Sequence, residues 1–190
     1  MPVNLPNLLT WARIVMIPML VAVYYLPGDW LPDHSRNVVA TLIFAVAAVT
    51  DWLDGYLARS LSQTSSFGAF LDPVADKLMV TTALIMLVWL GRLDAFIAVI
   101  IIGREIAISA LREWMAKIRE STSVAVSFVG KLKTTSQMVA IILLLYHDPL
   151  LSVDVQRVGT WLVYLAAILT LWSMFYYLRK ATPGARKAQG

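Results

Sequence analysis

The chain has no cysteine and only two histidines in 190 residues. Disulfides, thiolate-bound zinc and nucleophilic cysteine chemistry are therefore excluded, and the redox compartment stays open. Charge is scarce too: 15% of residues are Asp, Glu, Lys or Arg, against 59% hydrophobic, and the mean hydropathy is +0.70. That is too little charge to cover a soluble globular domain, and it places the chain in the membrane class. The opening Met-Pro-Val-Asn-Leu-Pro lacks the basic start of a secretory leader. The first apolar segment is thus expected to stay in the mature protein. The formal net charge of +4 suits anionic lipid headgroups and anionic substrates. No nucleic-acid partner is expected, because so apolar a chain has little soluble surface to offer one.

Long apolar runs are what the sequence has in abundance. Six of them, near 8–26, 37–59, 67–90, 94–117, 131–147 and 156–178, approach the roughly 20 residues that a helix needs to cross the hydrocarbon core. Turn chemistry separates them at Pro27-Gly28-Asp29, Pro32-Asp33, Ser60 to Ser66, Gly91-Arg92, Glu120 to Ser123 and His147-Asp148-Pro149. The expected architecture is all-α and polytopic, with six transmembrane helices and a short interfacial segment, Leu5 to Trp11, ahead of the first. Short connections predict that successive helices pack antiparallel. Residues 1–180 read as one membrane domain and 181–190 as a basic cytoplasmic tail. Lys and Arg set the orientation. Arg59, Lys117, Arg119, Lys131, Lys133, Arg179, Lys180, Arg186 and Lys187 fall on the side of the termini, and Arg36, Arg92 and Arg157 on the other. Both termini are expected in the cytoplasm.

Charges inside such spans are costly, so they mark functional sites. Asp51 and Asp54 are three apart on the second span, and Asp72 and Asp76 four apart on the third. Each pair shares a helix face. For a hairpin turning near residue 63, Asp51 lies opposite Asp76 and Asp54 opposite Asp72, roughly one to three helical turns inside the boundary. Four like charges at one depth persist by taking up protons or by binding cations. Oxygen ligands without His or Cys favour Mg²⁺, Mn²⁺ or Ca²⁺, and a pair of such ions suits phosphoryl chemistry. Gly55 and Ala58 follow on the aspartate face of the second span, and Gly68 precedes Asp72 by one turn, so a backbone or flat ligand can approach closely. Arg59 at the mouth can hold a diphosphate. Taken singly, such residues are as readily explained by helix packing or proton relay; their convergence favours a site.

Two further segments carry basic residues. Arg104, Ile108 and Arg112 form a row on the fourth span, with Glu105 and Glu113 available as ion-pair partners. Lys131 and Lys133, with Gly130, Thr134 and Thr135, open the fifth span as a phosphate cradle or as ordinary positive flanking. A phosphate-bearing ligand is favoured over a neutral one. His34 and His147 fall at the outer side and read as interfacial residues.

From Asp51 to Asp76 the chain resembles the signature of the CDP-alcohol phosphatidyltransferases, D-x2-D-G-x2-A-R-x8-G-x3-D-x3-D, with all eight fixed positions matched. The resemblance implies a six-helix membrane fold, a homodimer, and two divalent cations, Mg²⁺ or Mn²⁺, held by Asp51, Asp54, Asp72 and Asp76. It implies Asp76 as general base, and a CDP-linked donor lined by Asp54, Gly55, Ala58, Arg59 and Gly68. Together with Asn7-Leu-Leu-Thr10-x2-Arg13 and Thr50, the two basic segments resemble the branch of that family acting on CDP-diacylglycerol and sn-glycerol 3-phosphate, over most of the chain. This implies a place in phospholipid biosynthesis at the bacterial inner membrane, with Arg104, Arg112, Lys131 and Lys133 facing the acceptor phosphate. A sibling acceptor (inositol phosphate, serine or phosphatidylglycerol) is the nearest alternative. A divalent-cation transporter is the alternative from another class.

Overall fold

The computed structural model describes residues 5–61, 66–117, 128–149 and 154–187, with side chains described for fewer of them near the segment ends. All regular structure among the described residues is helical: α1 (Leu5–Tyr25), α2 (Asp33–Leu61), α3 (Ser66–Trp89), α4 (Ala95–Lys117), α5 (Phe128–Tyr146) and α6 (Val155–Lys187). Each expected span has its helix. The helix ends follow the turn residues. Gly91, at φ +69°, closes α3 in a Schellman arrangement, with Arg92 N–H donating to Leu87 O at 2.9 Å and Gly91 N–H to Val88 O at 3.0 Å. His147, at φ +61°, ends α5 with one bond to Leu143 O at 3.0 Å. Asp94 and Asp154 cap the next helices, accepting from Phe96 N–H at 2.8 Å and Arg157 N–H at 3.1 Å.

Packing follows chain order only in part. The most extensive interface joins α5 to α6; α1 lies against both α2 and α3, α4 packs on α6, and α2 on α5. The expected direct pairing of α2 with α3 is thin, because α1 packs along both. Leu20, Phe44, Leu84, Leu87, Ile101, Ile141 and Leu144 fill the core. Large apolar side chains also point outward, among them Val15, Val46, Ile85, Val99, Ile168 and Trp172. Among the described residues, two helices, over Leu8–Tyr25 and Val155–Phe175, are long and apolar enough to cross a membrane.

The end of the bundle near the α2 start is tied by Arg92. Its guanidinium donates to the carbonyls of Leu144 at 3.2 Å and Leu145 at 2.8 Å, the open C-terminus of α5, and to Asn37 Oδ1 at 2.7 Å. Burial lowers the Arg92 pKa, opposed by Tyr24 and Asp148. Burial and then the neighbouring Arg92 lower that of His147. His34 Nδ1 sits 2.8 Å from Asp148 Oδ2. Both histidines thus serve this end; His34 lies about 26 Å along α2 from Asp51 at 1.5 Å per residue.

The α5–α6 interface depends on Gly159. A Cβ there would lie 3.0 Å from Leu144 Cγ and 3.2 Å from Leu143 Cβ, and Leu144 is fully buried. Gly159→Leu should force the two helices apart and cost about 1–3 kcal/mol. A thermal melt of the purified protein in detergent checks this; an unchanged midpoint would show that the interface can give way.

Candidate active site

Asp51 and Asp72 meet at a residue of α1. Arg13 is 1% exposed, and its Nη1 lies 3.0 Å from Asp51 Oδ1 on α2 and 3.0 Å from Asp72 Oδ1 on α3. A buried guanidinium needs carboxylate partners, and two neighbouring carboxylates are steadied by a cation between them. Each requirement meets the other here. The pairing joins one residue from each expected rung, Asp51 with Asp72. Asp76 lies one turn further along α3, where Asp51, Arg13, Glu105 and Asp72 all act on its charge. The neighbouring Pro73 lacks an N–H, so the helical bond to the carbonyl of residue 69 is absent beside Asp72.

A second charged group borders the first. On α4, Arg104 is buried and donates through Nη1 to Glu105 Oε1 at 3.2 Å and through Nη2 to Ser173 Oγ on α6 at 3.0 Å. Lys133 on α5, also buried, donates to the same Glu105 oxygen. Two cations thus meet at one carboxylate. Ile108 is buried as well, so the Arg104–Ile108 row faces inward. Gly68 is half-buried at the start of α3. The side chains of Asp54, Gly55, Ala58, Arg59, Arg112 and Lys131 lie outside the described residues.

Arg13, which joins the two aspartates, is not among the residues that the sequence pattern assigns to the site. Its signal was available: it is the only charged side chain before Asp29, and the rule that marks intramembrane aspartates marks an arginine equally. Gln137 and Ser173 gave no such signal, since neutral polar residues in apolar helices are common.

The donor set suits hard divalent cations. Asp51, Asp72 and Asp76 offer only carboxylate oxygen, and two of them already share one positive charge at 3.0 Å each. Among the described residues no three such donors close around a single point.

The CDP-alcohol phosphatidyltransferase family pattern matches residues 3–172, and the chain belongs to that family. Within it, the chain is 50% identical over 186 residues to a CDP-diacylglycerol–glycerol-3-phosphate 3-phosphatidyltransferase of Escherichia coli (strain K12), covering 95% of this chain and 96% of the relative. Enzymes of the same name from Salmonella choleraesuis (strain SC-B67), at 49%, and Shigella flexneri serotype 5b (strain 8401), at 50%, match over the same shares.

Proposed function

We propose that this chain transfers the phosphatidyl group of CDP-diacylglycerol to sn-glycerol 3-phosphate, giving phosphatidylglycerophosphate and CMP. The observation that carries the reading is the meeting of Asp51 and Asp72, from two helices, at one cation. The relatives' shared name specifies the acceptor.

Asp51, Asp54, Asp72 and Asp76 would hold two divalent cations, Mg²⁺ or Mn²⁺. When bound, these supply charge neutralisation for the diphosphate of the donor. Gly55, Ala58 and Gly68 let the nucleotide approach the helices, and Arg59 binds its phosphates. Asp76 accepts the proton of the acceptor's primary hydroxyl as its oxygen forms a bond to the β-phosphorus. The bond from that phosphorus to the bridging oxygen breaks, and CMP leaves. Arg104, Arg112, Lys131 and Lys133 hold the acceptor phosphate, Lys133 and Arg104 turning toward it from Glu105. Positioning of this kind supplies much of what phosphoryl transfer needs.

The outward apolar side chains on the helices support a six-span bundle in the inner membrane. The basic excess on the side of the termini supports a cytoplasmic active site. A homodimer completes the reading. The test is CMP release from CDP-diacylglycerol with a panel of acceptors. Glycerol 3-phosphate should be turned over far faster than inositol phosphate, serine or phosphatidylglycerol. Turnover of one of these instead, or cation flux through vesicles without CMP release, would overturn the assignment.

A further inference from the structure

A chamber of about 90 Å³ lies between α3, α4 and α5, directly beside Asp76. Its polar lining is Asp76, Lys77 and Thr81 from α3, Glu105 from α4, and Thr134 and Gln137 from α5. Leu84 and Ile101 close its apolar end. Gln137 is 4% exposed, and its Oε1 is buried with no hydrogen-bond partner. A buried carbonyl left without a donor costs about 1–3 kcal/mol. The occupant of the chamber must therefore bring a donor.

Size and charge narrow the occupant further. The volume is enough for several water molecules or for the carbon and oxygen skeleton of a small polyol. Asp76 and Glu105 outnumber Lys77 in the lining and disfavour an anionic group inside, and an alkyl group would leave Gln137 unsatisfied. A neutral, hydroxyl-bearing carbon chain meets all three conditions. The axial order also fits. Lys133 lies one turn before Gln137 on the same face of α5, about 6 Å along the axis. A phosphate held at Lys133 thus leaves a short polyol reaching past Gln137 toward Asp76.

We infer that this chamber receives the carbon backbone of the acceptor, and that Gln137 Oε1 accepts a hydrogen bond from its non-reacting secondary hydroxyl. Gln137 is then a specificity-determining residue, separating polyol phosphates from analogues that lack that hydroxyl. The inference rests on the acceptor reading above. A site built to bond a substrate hydroxyl rejects the deoxy analogue strongly, because its own buried polar group is left unpaired.

The experiment measures kcat/KM for CMP release with sn-glycerol 3-phosphate and with propane-1,3-diol monophosphate, which lacks only the secondary hydroxyl. The wild type should prefer glycerol 3-phosphate by at least about 10²-fold. In Gln137→Met, which keeps the side-chain length but removes the acceptor oxygen, the preference should fall below about tenfold, with the KM for CDP-diacylglycerol little changed. A wild-type preference under about threefold overturns the inference whether or not the variant folds. So does a preference that survives intact in Gln137→Met. If the wild type ignores glycerol 3-phosphate and turns over another acceptor, the acceptor reading fails and takes this inference with it. Turnover of both phosphates without discrimination overturns this inference alone.

Discussion

Asp76→Asn is expected to lower CMP formation by about 10²–10⁴-fold, the usual contribution of a positioned general base. The amide keeps the size of the carboxylate but cannot take the proton of the attacking hydroxyl. Of the charged groups that act on this position, Asp51, Glu105 and Asp72 are acidic and only Arg13 is basic, so the amide relieves repulsion while removing the proton acceptor. Asp51 and Asp72 are untouched by the substitution, and CDP-diacylglycerol binding should be partly retained. Steady-state turnover and equilibrium binding of the donor, measured on the same preparation, separate the two effects. Near-normal turnover would remove Asp76 as the base. Equal loss of binding and turnover would make it chiefly a donor-binding residue.

Arg13→Ala should produce the next largest effect, and in a property other than activity. Removing the guanidinium leaves Asp51 and Asp72 facing each other without the cation that both touch at 3.0 Å. Breaking a buried pair in this way costs about 3–5 kcal/mol. Both carboxylates are 38% exposed, so water screens part of that repulsion, and about 2–3 kcal/mol is the better expectation. For a chain of this size the loss corresponds to roughly 5–10 °C in melting temperature. Divalent cations should restore the variant by more than they stabilise the wild type, because they fill the same electrostatic need. Arg13→Lys, which keeps the charge but loses the fork of donors, should fall between the two. Melts in chelator and in excess Mg²⁺ decide the matter. Identical shifts for Arg13→Ala and the wild type would show that Arg13 and the cations do not share these carboxylates.

Much of this arrangement was legible in the sequence because the relevant signals were local. Pro27-Gly28, Gly91 and His147 interrupt apolar runs, and the helices end at or beside them. Asp51, Asp72 and Asp76 stand out because a charge in an apolar helix is rare for energetic reasons. Which helices touch was less legible. Periodicity gives each helix a face but not a neighbour, so a direct α2–α3 hairpin was the natural expectation. The first helix instead packs along both and places Arg13 between Asp51 and Asp72. The same gap hid the partners of Glu105. Ion pairing of Arg104 with the adjacent glutamate was open to inspection, but the approach of Lys133, 28 residues away, is a tertiary fact. Gln137 lay beyond pattern reading altogether, since only its surroundings distinguish it from an ordinary polar residue in a helix.

The proposed reaction centre joins carboxylates from α2 and α3 and depends on divalent cations. The most direct test is CMP release from CDP-diacylglycerol and glycerol 3-phosphate by protein stripped with chelator, followed by titration with Mg²⁺ or Mn²⁺. Activity should be lost on stripping, return with added metal, and fail to return in Asp51→Asn at the same concentrations. Full activity in the stripped protein, or normal metal rescue of Asp51→Asn, would contradict it.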